Sequence, residues 1–148
     1  MWSKKGCICL ILFIWYMPLK AQNIEVAVQG IRSPKGQIVI GIYKNDESFR
    51  KDDPCIKKRF EKTTIQDGEM IVRFNLKPGT YGFSLLDDEN NDDDMNYSVI
   101  GIPKEGFGFS NYYHTNLKRP KFDQFKFVLN EDQKQKIIIE IKYMKNDN

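Results

Sequence analysis

Apolar and polar residues alternate along most of the chain from residue 23 onwards. The first alternating segment spans residues 24–28 and the second spans residues 38–42, with isoleucine or valine at every even position. A period of two places these side chains on one face of a β-strand. The turn Ser33–Gly36 between the two segments predicts that they form a hairpin.

Four further segments repeat this pattern, at residues 70–76, 81–85, 125–129 and 137–143. Pro78 and Gly79 favour a chain reversal between the first two, and the last two are expected to pair. The pattern predicts an all-β fold, an antiparallel two-sheet β-sandwich, as a single domain over residues 22–148. Side chains expected in its core are Ile40, Phe74, Phe83, Phe127 and Ile139.

Two stretches do not alternate. Residues 46–60 are charged, with Phe49, Ile56 and Phe60 spaced among them, and predict a short helix or an irregular loop that crosses between the sheets. Residues 87–120 are longer than an ordinary connection, and loops of that length are usually functional or locally ordered by something. Any function of the domain is therefore expected there.

The beginning of the chain has the three parts of a secretory signal. Lys4 and Lys5 form a basic start, residues 7–17 form an apolar run, and a polar exit ends in Ala21. An apolar run of about 11 residues is shorter than the roughly 20 that span a bilayer. Residues 1–21 are predicted to be a signal peptide cleaved after Ala21, and the mature protein to be secreted or periplasmic without a transmembrane span.

Loss of the signal changes the charge balance. It removes three lysines and no acid, which leaves 20 basic and 20 acidic residues. A neutral domain whose basic clusters are confined to residues 57–59 and 118–121 does not favour nucleic-acid binding.

Cys55 is the one cysteine beyond the signal, so no internal disulfide is possible, and it is predicted to be buried. We expect a monomer.

The segment Asp87–Asn96 carries the pattern that points to chemistry. Six of its first eight residues are acidic, and such a density of like charge opposes a compact fold when it is left unpaired. Three oxygen-bearing side chains stand at alternate positions, as at the start of a calcium-binding loop. The pattern predicts a structural Ca²⁺ site. Its ligands would be Asp88, Asn90, Asp92, the backbone carbonyl of Asp94, and Asn96.

Two positions depart from that calcium loop. Asp93 stands where glycine normally permits a sharp turn, and Val99 stands where a glutamate normally binds through both oxygens. The alternative is an acidic loop that is solvated and screened by nearby basic residues. Magnesium is disfavoured because it requires a stricter octahedral geometry.

Downstream of the acidic loop, glycines alternate with aromatic residues from Gly106 to Phe109. One interpretation is an aromatic platform for a sugar or for a partner strand. The other, which we favour, is that Phe107 and Phe109 cap one end of the sandwich while the glycines allow close approach of the backbone.

Between Ile24 and Tyr143 the chain resembles DUF2141, an uncharacterised family of small secreted bacterial proteins. The resemblance rests on Leu76–Tyr81, on Asp88–Asn90 and, most specifically, on Gly101–Asn111. The resemblance implies export and a β-sandwich of the immunoglobulin-like or transthyretin-like kind. It implies no particular activity, since a fold by itself does not define a function.

Before that last segment the family pattern has a histidine, a glycine and an aspartate where this chain has Asp87, Asp93 and Asn96. The turn at Pro78 is also similar to that of transthyretin-like and carboxypeptidase-regulatory-like sandwich domains. Most of those domains are accessory modules.

These observations favour a non-catalytic exported module that binds a macromolecule or a glycan at the cell envelope. Two alternatives stay open. A hydrolase would use Ser110 and His114, although no nucleophile-elbow motif surrounds the serine. A carrier of a small apolar ligand would hold it in a cavity lined by phenylalanine and isoleucine between the sheets.

Overall fold

A computed structural model describes residues 23–116 and 118–144, and it contains eight strands and two short α-helices within those ranges. The predicted signal segment, residues 1–21, lies outside them. The strands are Ile24–Gln29 (β1), Gln37–Tyr43 (β2), Ile56–Glu61 (β3), Met70–Phe74 (β4), Gly79–Asp88 (β5), Gly106–Phe109 (β6), Phe127–Leu129 (β7) and Gln135–Glu140 (β8). The helices are Asp46–Arg50 (α1) and Phe122–Phe125 (α2), with a 3₁₀ turn at Lys62–Thr64.

The strands form two packed sheets, which confirms the predicted all-β sandwich. One sheet has the order β4-β1-β8, and the other has the order β3-β2-β5-β6, with β7 also paired to β5. All of these pairs are antiparallel except that of β1 with β8, which is parallel. The five side chains predicted for the core are all buried: Ile40, Phe74, Phe83, Phe127 and Ile139.

The predicted hairpin of β1 and β2 is wrong, because the two strands belong to different sheets. The last two strands also do not pair with each other, since β7 joins β5 and β8 joins β1. Each connection instead carries the chain from one sheet to the other. Alternation specifies which face of a strand is buried but not which strand lies beside it, and both arrangements bury the same side chains.

The charged stretch after β2 was expected to contain a helix or an irregular loop that crosses between the sheets. The helix is present as α1. The chain then continues into β3, which pairs with β2, so it stays in the same sheet.

The prediction that Cys55 is buried is wrong, and the thiol is exposed. Cys55 directly precedes β3, an edge strand whose side chains alternate between the core and solvent.

A second apolar cluster covers the outer face of the five-stranded sheet at one end. Its members are aromatic: Tyr43, Phe49, Phe109, Phe122 and Phe125. Helix α2 packs directly on β5 at Gly82, where an added Cβ would lie 2.6 Å from the Phe125 ring. The predicted close backbone approach in β6 is confirmed at Gly108, where a Cβ would lie 2.6 Å from Ile139. Phe109 therefore packs on a sheet face rather than across the end of the sandwich.

No helix within the described ranges is long and apolar enough to cross a membrane.

Candidate metal centre

The acidic loop begins at Asp88, the last residue of β5. The side chain of Asp88 is fully buried, and its two oxygens accept hydrogen bonds from the backbone N–H groups of Asp92 (3.2 Å) and Asp93 (3.0 Å). Gln37 Nε2 on the neighbouring strand donates a third bond of 2.7 Å. These bonds fold the loop back over the end of the strand.

Asp92 lies at the centre of the folded loop. Its Oδ2 accepts hydrogen bonds from the amide groups of Asn90 (2.8 Å) and Asn96 (2.9 Å), and its Oδ1 accepts one from the N–H of Asp94 (3.0 Å). These bonds, led by that from Asp94, lower the pKa of Asp92. The side chains that the sequence selected at positions 88, 90, 92 and 96 therefore lie together, while that of Asp94 points to solvent.

Glu105, which sequence reasoning missed, completes the group from the far end of the loop. It directly precedes β6, is 5% exposed, and accepts hydrogen bonds from the N–H groups of Glu89 and Asn96, each 3.2 Å long. Carboxylate oxygens of Asp88, Asp92 and Glu105 lie within 4.8 Å of one another. Burial, and then the nearby charges of those two aspartates, raise the pKa of Glu105.

Val99, the residue at the position of the missing loop glutamate, is fully exposed. Glu105 could have been identified from its position in the sequence. It is a single acid between Pro103 and Gly106, in the segment that carries the family resemblance. An acid at that point has no evident role in packing. Only the return of the loop to β6 shows that it faces Asp88.

Three of the other four acids of the segment, all except Asp94, have basic partners. Asp87 is buried and forms an ion pair with buried Lys62. The partners of the remaining two are Arg32, 2.7 Å from Glu89, and Arg59, 2.6 Å from Asp93. Among the described side chains, none of the eight ion pairs involves Asp88, Asp92 or Glu105. These three carboxylates therefore form a group without an ion-pair partner among the described side chains, and the group could hold a metal ion.

Asp93 shows how the loop turns without the usual glycine. Its φ is +67°, in the left-handed region that aspartate tolerates better than most residues. The Asp93 carboxylate accepts two hydrogen bonds from Arg59, 2.6 and 2.7 Å long, and a third of 3.1 Å from Gln37. Residue 93 therefore shapes the loop and contributes no oxygen to the acidic group.

The two residues of the hydrolase hypothesis have other partners. Ser110 is fully buried; its Oγ donates to the carbonyl of Phe125 (2.6 Å) and accepts the N–H of Phe83 (2.9 Å). His114 Nε2 donates to the carbonyl of Lys118 (2.6 Å). The serine thus links β5 to α2 in the interior.

A cavity of about 350 Å³ lies on the outer face of the five-stranded sheet, beside the acidic loop. Val39 and Leu86 from the sheet line it, and so do Met95 and Tyr97 from the loop. The carrier hypothesis placed its cavity between the sheets, whereas this one opens on the opposite side of β2 and β5.

The fold and the loop define a small β-sandwich module with a candidate metal centre at the end of one strand. The chain belongs to the family described as "Uncharacterized protein conserved in bacteria (DUF2141)", which it matches over residues 26–138. No curated protein and no solved structure was found to match it.

Proposed function

We propose that the protein is an exported, non-catalytic module whose long loop is ordered by a bound calcium ion, and that it binds a macromolecule or a glycan at the cell envelope. It would act as a monomer in the periplasm or outside the cell. The observation that carries the proposal is the convergence of Asp88, Asp92 and Glu105, none of which forms an ion pair with a described side chain.

Two members of the group are buried, and an ion would lower the energetic cost of their burial. Asp88 is fully buried and Glu105 nearly so, and their hydrogen-bond donors are neutral backbone and amide groups. A buried carboxylate without a counter-charge is strongly unfavourable. A divalent cation would offset the mutual repulsion and restore the solvation that both side chains lose on folding.

The chemistry of the donors favours calcium, which takes six to eight oxygen ligands in a flexible arrangement. Besides the three carboxylates, the loop offers the side-chain oxygens of Asn90 and Asn96 and the backbone carbonyl of Asp94. Both asparagines now direct their NH₂ groups at Asp92. A rotation of each amide by half a turn would exchange nitrogen for oxygen in the same space and present a ligand to the ion.

The role would be structural rather than regulatory. Extracellular calcium modules bind with dissociation constants of about 0.1 to 1 mM, which suits the environment outside the cell and is too weak for sensing inside it. A ligand at about 100 times its dissociation constant adds roughly 2.7 kcal/mol to the free energy of unfolding. For a domain of this size that corresponds to a rise in melting temperature of about 10 °C.

The non-catalytic part of the proposal is supported by the use of Ser110 in packing. A nucleophilic serine needs a free hydroxyl beside a general base. Here the hydroxyl is buried and bonded to two backbone groups.

Thermal melting followed by circular dichroism tests the calcium site. We expect the wild type to melt at a higher temperature with excess calcium than with chelator, and magnesium to produce a smaller rise. The double variant Asp88→Ala with Asp92→Ala should lose the calcium response. Asp94→Asn, which removes an acid from the same loop but keeps its carbonyl, should retain it. Equal melting temperatures for the wild type in calcium and in chelator would refute the proposal.

Export is tested by the intact mass of the protein recovered from the envelope fraction and the medium. We expect the mass of a chain that begins after Ala21. A full-length mass with Met1 retained would contradict cleavage.

A further inference from the structure

The cavity on the outer face of the five-stranded sheet has the form of a small ligand-binding groove. Its floor contains Gly41 of β2, which lies directly opposite Ser84 of β5, and the ring of Tyr43 lies over this pair, since an added Cβ at Gly41 would stand 3.0 Å from the Tyr43 hydroxyl. Val39 and Leu86, which are paired with each other, stand on one side of Gly41 and Ser84, and Tyr43 stands on the other. A volume of about 350 Å³ is at the lower end of the range for small-molecule sites.

Aromatic rings line this groove. Phe107 and Phe109 come from β6, and Tyr97, 58% exposed, comes from the loop between β5 and β6. Aromatic rings present a flat apolar surface against which the C–H face of another ring can pack. An exposed tyrosine at the mouth of a cavity also offers a hydroxyl to a bound molecule.

Polar groups at one end of the groove are held in fixed positions. The hydroxyl of Tyr43 donates to Asp52 (2.8 Å), and the guanidinium of Arg119 lies 3.5 Å from the same carboxylate. Arg119 also stacks over the Phe49 ring, 4.2 Å from its centre. A donor and an acceptor are thereby held beside the aromatic rings, and a few fixed polar groups of this kind give a pocket its specificity.

The charges around the groove balance. Three acids and three bases line it: Asp52, Asp93, Asp94, Lys57, Lys118 and Arg119. Such a lining does not select a strongly anionic or cationic ligand. It suits a neutral molecule with many hydroxyls, because each hydroxyl both donates and accepts a hydrogen bond while ring carbons pack on the aromatic walls. We infer that the groove binds a neutral saccharide of one or two rings, an inference that rests on the proposed binding function.

The loop between β5 and β6, which contains the acidic segment, also lines this groove through Met95, Tyr97 and Pro103. An ion that orders the loop would therefore also order that part of the groove. Binding of the saccharide should be tighter with calcium than with chelator, and by linkage the saccharide should tighten calcium binding by the same factor.

Two-dimensional NMR of the purified protein tests the groove, with maltose, cellobiose and N,N′-diacetylchitobiose as neutral probes and digalacturonate as an anionic one. Each titration is run in calcium and again in chelator. We expect at least one neutral disaccharide to shift the amide signals of Gly41 and Ser84. Tyr97→Ala should weaken that binding about tenfold. The matched control is Tyr113→Ala, an exposed tyrosine outside the groove, and it should leave the affinity unchanged.

The inference is overturned if no neutral disaccharide shifts those signals, if only digalacturonate does, or if both tyrosine variants weaken binding equally. Its failure is distinct from failure of the calcium proposal. A calcium-dependent melting shift without sugar binding would support the metal site and refute the saccharide groove. Sugar binding without a melting shift would support the groove and refute the metal site.

Discussion

Two groups of acidic side chains lie side by side at the end of β5, and they differ in what neutralises them. Asp87, Glu89 and Asp93 each contact a lysine or arginine from another part of the chain. Asp88 and Asp92 turn instead toward Glu105, and only neutral groups donate hydrogen bonds to them. Neighbours in sequence therefore play opposite roles.

The difference follows from strand geometry. Successive side chains of a strand point to opposite faces, so Asp87 enters the core between the sheets while Asp88 faces the loop. Inside the core Asp87 meets Lys62 and accepts a hydrogen bond from the Tyr143 hydroxyl. Alternation therefore separates Asp87, which pairs within the core, from Asp88, which belongs to the group that can hold an ion. Substitutions can test the two separately.

The largest effect is expected from Lys62→Met, which leaves Asp87 buried without its cation. Lys62 Nζ also donates to the carbonyls of Ser33 (3.1 Å) and Lys35 (2.7 Å), which would lose their partner. Removal of one member of a buried ion pair costs about 3 to 5 kcal/mol. Urea denaturation should show that loss in the free energy of unfolding, with or without calcium.

Two features identify the loss as a charge effect. Burial raises the pKa of Asp87 while Lys62 opposes that rise, so the destabilisation of the variant should shrink as the pH falls and Asp87 becomes protonated. The double variant Lys62→Met with Asp87→Asn should recover most of the stability, because it removes both charges. A double variant no more stable than Lys62→Met would show that the lysine acts through packing.

A comparison of two glutamates sharpens the contrast. Glu105→Gln should lose most of the calcium-dependent stabilisation, which is roughly 2.7 kcal/mol at about 100 times the dissociation constant. Glu89→Gln makes the same chemical change in the acid that Arg32 neutralises, and it should keep the calcium response. Calorimetric melting of both variants in calcium and in chelator measures the difference. Equal responses would remove Glu105 from the ligand set.

A smaller effect is expected from Arg32→Gln. The guanidinium makes two hydrogen bonds to Glu89, 2.9 and 2.7 Å long, and lowers the pKa of that carboxyl. The pair is partly exposed, so its loss should cost only about 0.5 to 1 kcal/mol, and less at high salt. Urea denaturation at two salt concentrations checks this. If the free energy of unfolding fell as much as in Lys62→Met, solvent would not be screening the pair of Arg32 and Glu89 more than the buried pair of Lys62.

The smallest effect is expected from Asp93→Gly. Glycine relieves the left-handed backbone at φ +67° but gives up the contact with Arg59, and the two changes oppose each other. Calcium affinity, measured by titration calorimetry, should stay within about twofold, since the Asp93 carboxylate is paired with Arg59 and is not a member of the acidic group. A large fall in affinity would place Asp93 among the ligands.

The fold class, the buried faces of the strands and most of the acidic loop follow from the amino-acid sequence. Alternation identified Ile40, Phe83 and Ile139 as core residues because a period of two is a local property of a strand. The spacing of Asp88 and Asp92 placed their carboxylates in one group for an equally local reason. All of these predictions depend on residues close together in the chain.

Tertiary structure alone decided which strands are neighbours and which acids are neutralised. The chain passes from β1 to the other sheet instead of forming a hairpin, and this choice depends on how the two sheets pack as a whole. Glu105 lies 17 residues after Asp88 by number yet faces it, because the loop returns to pair β6 with β5. Contacts between distant parts of the chain carry no local periodicity, so sequence patterns could not reveal them.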